Sequence, residues 1–493
     1  MNSDRSAANP TRKKPTSLPA GCLTLFGLPF ALAGISVLVQ GVRKIPDGFS
    51  RETIMMLMAG LLFSSVGLGI IMFSLYARRA MKRTSERQQL HPSEPWLWRE
   101  DWADRSIRSN QRTGALFMLF FALFWNGISW TVATAFFLER GKHPTGVLLL
   151  LLLFPAIGVA LGWVAVAKLL TWRRFGAATF RIGTLPARPG GILHGFVEVP
   201  SQLPVEIPVK LQLNCVHRET ERSGGENRTT EHTLWQEERF LRGPFPELSQ
   251  SRTTIPVFFR LPKDQPPSGD PSQANAIFWK LEAIAALPGP NLNIDFVVPV
   301  FNAGGIPEPE PREDPSSRYQ VPAAELRDSI KSKILVRDGV DGRELVFPAL
   351  RNPGASLFTT LFFCGWTAVV VFLAKSSAPV LFPIVFGLFD VLIGYFWFDT
   401  TFRRSCLTAN RQRLVSHQSW LLFQRVKEWP TASIRNISLK VGMSSGQQHY
   451  HDLIANLDTG KTATLASAIA TKIEADWLVA ELKSALGLPQ DGA

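Results

Sequence analysis

The four cysteines, at positions 22, 215, 364 and 406, stand far apart with no C-x-x-C pair among them. That spacing argues against a disulfide framework and against a thiolate metal site, and leaves free, reduced thiols as the expectation. Histidine is scarce too. His194, His217 and His232 are scattered through one β-rich stretch, and only His449-Tyr450-His451-Asp452 places two imidazoles on one strand face. Zinc takes three or more protein ligands and no third is evident, so this quartet reads as a polar strand face or hairpin edge. The frames G-x-x-x-x-G-K-[ST], H-E-x-x-H and G-x-G-x-x-G are missing. The expectation is a non-enzymatic chain with no catalytic, cofactor-binding or metal residues and no cofactor.

Tyrosine is nearly absent, with four residues against thirty-four Phe and fourteen Trp. This is a membrane-like balance, because lipid-facing Phe has no hydroxyl to satisfy and Trp favours the headgroup region. The mean hydropathy of +0.07 averages very greasy with very polar segments. Six apolar runs, roughly 18–41, 53–76, 113–138, 145–171, 355–374 and 378–398, each come near the length that crosses a hydrocarbon core. They make three hairpins. Segment 77–112 holds nine basic residues, with Arg78, Arg79, Lys82 and Arg83 directly after the second run, which places it in the cytoplasm. Arg173-Arg174 and Arg403-Arg404 follow the fourth and sixth runs with the same sign. Both termini and both large polar segments are therefore expected on the cytoplasmic side of a bacterial inner membrane. The formal charge of +13 goes to topology and to anionic membrane lipids, so nucleic acid is not an expected partner. Met1 to Ser17, with Arg5, Arg12, Lys13 and Lys14, also resembles a signal-peptide n-region, with Ala31-Leu32-Ala33 as its cleavage site. The apolar run continues through Ile35 to Val39, which favours an uncleaved first helix.

Within the runs, Gly158 and Gly162 form a G-x-x-x-G pair suited to helix packing, within the molecule or between copies. Pro29, Pro155 and Pro383 are expected to bend their helices. Asp390 is the intramembrane polar candidate: it is either an ion or proton site, or a carboxyl hydrogen-bonded to a neighbouring helix such as the one bearing Asn126. Lys168 lies near a helix end, where it snorkels to the interface. Trp96, Trp98 and Trp102 stand among charges in 94–102, either as an interfacial anchor beneath the bundle or as a docking surface for a partner.

From about 176 to 302 the apolar period becomes two. Val205, Ile207, Val209, Leu211, Leu213 and Cys215 share one face, with Glu206, Lys210, Gln212 and Asn214 opposite. Similar alternation over Ile255–Leu261, Ile277–Ala283 and Leu292–Val300, between turn-rich stretches, predicts a β-sandwich. The Gly190-Gly191 turn, the strand ending at Cys215, the Trp279 strand and the Phe296-Val297-Val298-Pro299-Val300 close resemble arrestin-like sandwiches of bacterial membrane proteins. Segment 303–354, Pro- and Glu-rich from Pro307 to Pro315, reads as a linker, with a helical patch near Ala323–Lys333 and a strand near Glu344–Phe347. After the sixth run, alternating segments precede a helix over about 470–486 carrying Ile473, Trp477, Leu478, Leu482 and Leu486, with Gly487 as its stop. Strands followed by one helix give a small α+β domain over 402–487, which resembles the bacterial pleckstrin-homology-like arrangement without a phosphoinositide-type basic loop.

The expected organisation is a cytoplasmic tail (1–17), a transmembrane hairpin (18–76), a basic Trp-rich segment (77–112), a second hairpin (113–171), the sandwich (176–302), the linker (303–354), a third hairpin (355–398) and the α+β domain. The whole resembles uncharacterised bacterial multi-span inner-membrane proteins whose hairpins bracket a β-domain. Three functions stay open: a membrane scaffold or regulator that presents its β-domains to a cytoplasmic protein partner, a transporter or channel subunit built on Asp390, and, ranked last, a membrane enzyme whose site is too dispersed to read in the sequence.

Overall fold

A computed structural model describes residues 20–48, 50–109, 111–138, 145–223, 226–249, 252–269, 275–303, 311–322, 325–326, 334–351, 353–375, 379–445, 448–469 and 471–489. The expected N-terminal tail and most of the helical patch at 323–333 lie outside these residues. The chain divides into two units, Met1–Tyr319 and Gln320–Ala493.

In the first unit, α1 (Ala20–Arg43) runs unbroken through Ala31-Leu32-Ala33 and packs antiparallel on α2 (Arg51–Leu90). Small residues every seventh position make the seam: Gly27, Gly34 and Gly41 on α1, with Gly60, Gly67 and Ser74 on α2. A Cβ at Gly67 would fall on the Ala31 backbone, and one at Gly60 would come within 2.5 Å of Leu38 N. Backbones this close gain dispersion contact without a hydrophobic drive, which is how helices associate in lipid. One end of the seam is closed by Thr24 and Ser74, whose hydroxyls lie 2.8 Å apart. At 40 residues α2 is roughly 60 Å long, so it continues past its apolar run as a polar helix bearing Arg78 to Arg87.

The second hairpin is α3 (Gln111–Leu138) and α4 (Thr145–Phe175). Asn126 Nδ2 donates to Gly158 O at 2.7 Å, and a Cβ at Gly158 would lie 2.6 Å from Asn126 Oδ1. Gly162 faces open space, so the two glycines expected to share one packing face do different things. Gly158 makes room for a polar side chain within the molecule.

The sandwich follows from strand alternation, and it starts earlier than expected. After a short helix at Glu100–Ala103, β1 (Ser106–Arg108) pairs with β2 (Thr179–Ile182), so chain from before the second hairpin is part of the sheet. One sheet runs β1-β2-β3-β7-β6, with β3 at Ile192–Val199, β6 at Glu247–Ser249 and β7 at Arg252–Arg260. The other runs β5-β4-β8-β9, with β4 at Val209–Ser223, β5 at Glu226–Leu241, β8 at Ala276–Ala285 and β9 at Leu292–Val298. Leu211, Leu213 and Cys215 from one sheet and Val197, Ile255 and Val257 from the other share a single core.

Two residues from the helical segments lie in that core. Phe175, at the end of α4, is fully buried, and Arg174 Nη1 donates to Pro288 O at 2.9 Å. Trp102 is 2% exposed, its Nε1 donates to Val297 O at 2.8 Å, and the Arg99 guanidinium lies 4.6 Å over its ring. This corrects the reading of Trp102 as an interfacial anchor or docking residue: its ring is held inside the protein. Trp96 packs on the same core against Phe301, while half-buried Trp98 donates to His91 O at 2.8 Å.

In the second unit the strand expected near Glu344–Phe347 is part of a longer hairpin that begins at Leu335. Strands β10 (Leu335–Gly339) and β11 (Gly342–Phe347) form a hairpin, and β11 pairs with β12 (Arg404–Ala409), from Arg343 opposite Ala409 to Phe347 opposite Ser405. The third hairpin, α5 (Pro353–Lys375) and α6 (Leu381–Phe402), is thus inserted between two adjacent strands of one sheet. Gly342 has φ +129°, and a Cβ there would strike Ala409 O, so the turn between β10 and β11 requires glycine. The sheet continues through β13 (Arg413–Ser419) and β14 (Gln424–Pro430). A three-stranded sheet, β15 (Ile434–Ser445), β16 (Gln448–Leu457) and β17 (Thr462–Ile469), follows, and then α7 (Lys472–Leu486). Thr471 caps α7 by accepting from Glu474 N at 3.3 Å, and Gly487 ends it at φ +72°. Ala475, Leu478, Leu482 and Leu486 fill a core with Leu345, Leu407 and Leu453. Among the described residues six helices, α1 to α6, are long and apolar enough to cross a membrane.

Two outcomes check this packing. Trp102→Ala is expected to cost about 3–5 kcal/mol of sandwich stability, and Trp98→Ala about 1 kcal/mol, by denaturant titration in detergent. Equal losses would contradict the core placement. Gly67→Val should separate α1 from α2 and abolish disulfide crosslinking between cysteines placed at Thr24 and Ser74, while Gly162→Ala leaves crosslinking intact.

Candidate functional site

On β4, alternation sends Leu211, Leu213 and Cys215 into the core and Lys210, Gln212 and Asn214 to the opposite face, as the sequence predicts. That opposite face is itself buried: Gln212 and Asn214 are fully covered and Lys210 is 7% exposed. The register places Glu238, Gln212, Glu282 and Asp295 in one row across β5, β4, β8 and β9. Gln236, Asn214 and Lys280 form the adjacent row. Lys210 Nζ donates to Gln212 Oε1 at 2.9 Å and pairs with Glu238 at 3.4 Å, and Gln212 Nε2 donates to Asn214 Oδ1 at 3.0 Å. Lys280 meets Glu282 at 2.8 Å and Asp295 at 3.7 Å. Asn214 Nδ2 and Gln236 Oε1 have no hydrogen-bond partner among the described residues.

Burial raises the pKa of Glu282, and the nearby Lys280 offsets this only in part. Burial also opposes the charge on Lys280, but Glu282 and Asp295 outweigh it and raise its pKa. Burial pushes the Cys215 thiol up to about 12, which removes it as a thiolate nucleophile or metal ligand. A one-residue slip would drive the charges of this face into the apolar core, so the face specifies the register of β5, β4, β8 and β9.

This register matters because, among the described residues, β4 and β5 continue beyond their pairing with β8. The β4–β8 pairing ends at Arg218 opposite Ala276. Beyond it, five pairs of β4 and β5, from Glu219–Thr230 to Ser223–Glu226, form a two-stranded ribbon. Arg218 Nε donates to Glu231 at 3.0 Å and its guanidinium lies 4.8 Å over the Phe278 ring, bracing the base of the ribbon. The Thr220 and Thr229 hydroxyls lie 3.1 Å apart across it. No apolar side chain occurs from His217 to His232, and Thr229 to His232 are exposed. That sixteen-residue polar run is visible in the sequence as one of the turn-rich stretches between alternating segments.

The other sequence candidates lie elsewhere. In α6, Asp390 Oδ1 accepts from Thr367 Oγ1 of α5 at 2.9 Å, so its partner is Thr367 and not a helix bearing Asn126. His451 is buried on β16, and the side chain of His449 lies outside the described residues. Among the described residues no three His, Cys, Asp or Glu side chains converge as a metal site requires. One serine pattern escapes the sequence reading: Gly442-Met443-Ser444-Ser445-Gly446 has the form G-x-S-x-G. It lies at the end of β15 and leads into antiparallel β16, whereas a nucleophile elbow needs a strand-to-helix turn.

No family model matches the chain, and no curated protein matches it in sequence. Among solved structures, Spo0M, the sporulation control protein of Bacillus subtilis, aligns with 52% of this chain and 90% of its own length, at 11% identity and a TM-score of 0.19. A likeness at that score carries no argument, and the description of the fold rests on the strand pairing above.

The raised pKa of Glu282 has a measurable sign. Its contribution to stability is complete below the ordinary value of 4.5 and is lost as pH rises through the folded value. Glu282→Gln should therefore gain stability relative to the parent chain as pH rises from 4.5 toward neutrality, in thermal unfolding followed by near-UV circular dichroism. A difference that shrinks over that window would contradict the burial of an ionising carboxyl.

Proposed function

We propose that this chain is an integral inner-membrane scaffold or regulatory protein, non-enzymatic, that presents its cytoplasmic β-domains to a protein partner. The single observation that carries the reading is the polar ribbon of β4 and β5, which extends past its sheet on a buried, register-locked base. Apart from Thr220 N, which donates to Asn275 Oδ1 at 3.3 Å, a two-stranded ribbon leaves edge backbone N–H and C=O groups open to pairing, and adding a strand to such an edge is a common mode of peptide recognition. Its charged side chains would select the partner and discourage indiscriminate edge pairing. The basic residues after the second, fourth and sixth apolar runs support placing both termini and the β-domains on the cytoplasmic side. The alternative, a transporter or channel subunit, depends on Asp390, a single carboxyl whose partner is Thr367 on the adjacent helix.

The test is a photocrosslinking amino acid at Thr229 or Glu231 in intact cells, with Gln202 as a control position. The expected result is a discrete adduct from the ribbon positions only, with the adduct at Glu231 lost when 219–230 is replaced by a two-residue turn. Adducts of equal yield from all three positions, or from none, would sink the reading.

A further inference from the structure

The second unit carries an apolar surface that its own packing does not explain. The turn between β13 and β14 is Trp420-Leu421-Leu422-Phe423, with Leu421 67%, Leu422 86% and Phe423 65% exposed. Three adjacent large apolar side chains at the tip of a β-hairpin are costly in water and mark a contact with something apolar. Where they lie identifies it. Trp420 Nε1 donates to Asp399 Oδ1 at 3.1 Å, in the last turn of α6, and Arg403 holds the other oxygen of that carboxylate at 3.3 Å. The tip is thus fastened to the foot of a hairpin long and apolar enough to cross a membrane, at the level where α6 ends.

Beside it lies a cavity of about 300 Å³. Its lining includes Arg351, which precedes α5, Arg403, which follows α6, and Lys427 on β14. Asp399 is the acidic residue of that lining and is engaged by Arg403 and Trp420. Arg351 is fixed by donating to Ser467 O at 2.6 Å and Ala468 O at 2.9 Å. The strand after the tip carries Arg425 and Lys427 on one face, both exposed. An apolar tip followed by basic side chains, at the foot of membrane-length helices, matches the layering of acyl chains beneath phosphates.

We propose that the β13–β14 tip, Leu421 to Phe423, dips into the bilayer beside α6, with Lys427, Arg425 and Arg403 holding the phosphate of an anionic phospholipid at its base. This contact is separate from the ribbon of the first unit and stands whether or not that ribbon binds a partner.

The test uses the full chain reconstituted in vesicles, with Leu422 replaced by an environment-sensitive fluorescent amino acid and the same probe at Asp458 as an exposed control. Lipids spin-labelled just below the headgroup should quench the probe at 422 and leave that at 458 unquenched. In vesicles containing phosphatidylglycerol, Arg425→Gln and Lys427→Gln should each shift the inserted fraction of the tip down about fivefold. Vesicles of phosphatidylcholine alone should show the lower fraction already. Inorganic phosphate at tens of millimolar should not displace the tip if a lipid phosphate is the ligand. Absence of quenching at 422 would overturn the insertion; quenching that ignores lipid charge, or loss of quenching on adding phosphate, would overturn the lipid-phosphate assignment.

Discussion

The first unit depends on two aromatic side chains from its helical segments, Trp102 and Phe175, buried in the core of a β-sandwich. Burying rings of this size contributes several kcal/mol, and the Trp102 indole adds a bond to the β9 backbone. A sandwich joined to membrane-length helices by flexible loops would tumble on its own. Here the chain before α3 and the end of α4 are both parts of the β-core, so the sheet takes its position from the helices. A pull on either would be felt in the strands before any loop could absorb it.

The face bearing Lys210, Gln212 and Asn214 settles a second matter. Buried ion pairs are poor sources of net stability, because desolvation offsets most of the attraction. Their value is in exclusion. Any other alignment of β4 and β5 would bury a charge without its partner, so the ribbon projects from one register only.

The sequence announced most of these elements through period and length. The strands of the sandwich, the six long apolar helices and α7 follow patterns that act over a few residues, and local patterns are what a sequence displays. Two misreadings share one cause: each depended on a partner far away in the chain. Trp102 has the flanking charges of an interfacial residue, and only pairing between 106–108 and 179–181 brings it inside. Leu335 to Phe347 are two short strands amid polar residues, and their completing neighbour, β12, comes after the whole third hairpin. The ribbon is silent for another reason: strands are legible through apolar alternation, which a solvent-facing ribbon has no reason to show. The seven-residue repeat of Gly27, Gly34 and Gly41 was legible, but the four-residue template found Gly158 and Gly162 instead, and those do not act together.

The insertion of α5 and α6 between β11 and β12 imposes an order of events on biosynthesis. Translation delivers β10 and β11 first, then the two apolar helices, and only afterward the strand that covers the open edge of β11. Until β12 has been made, Phe347 and Leu345 have no Ser405 and Leu407 beside them, and β11 keeps an open edge. Closure of this sheet therefore has to wait for the whole hairpin, and a chain cut short within it keeps an unpaired edge at β11.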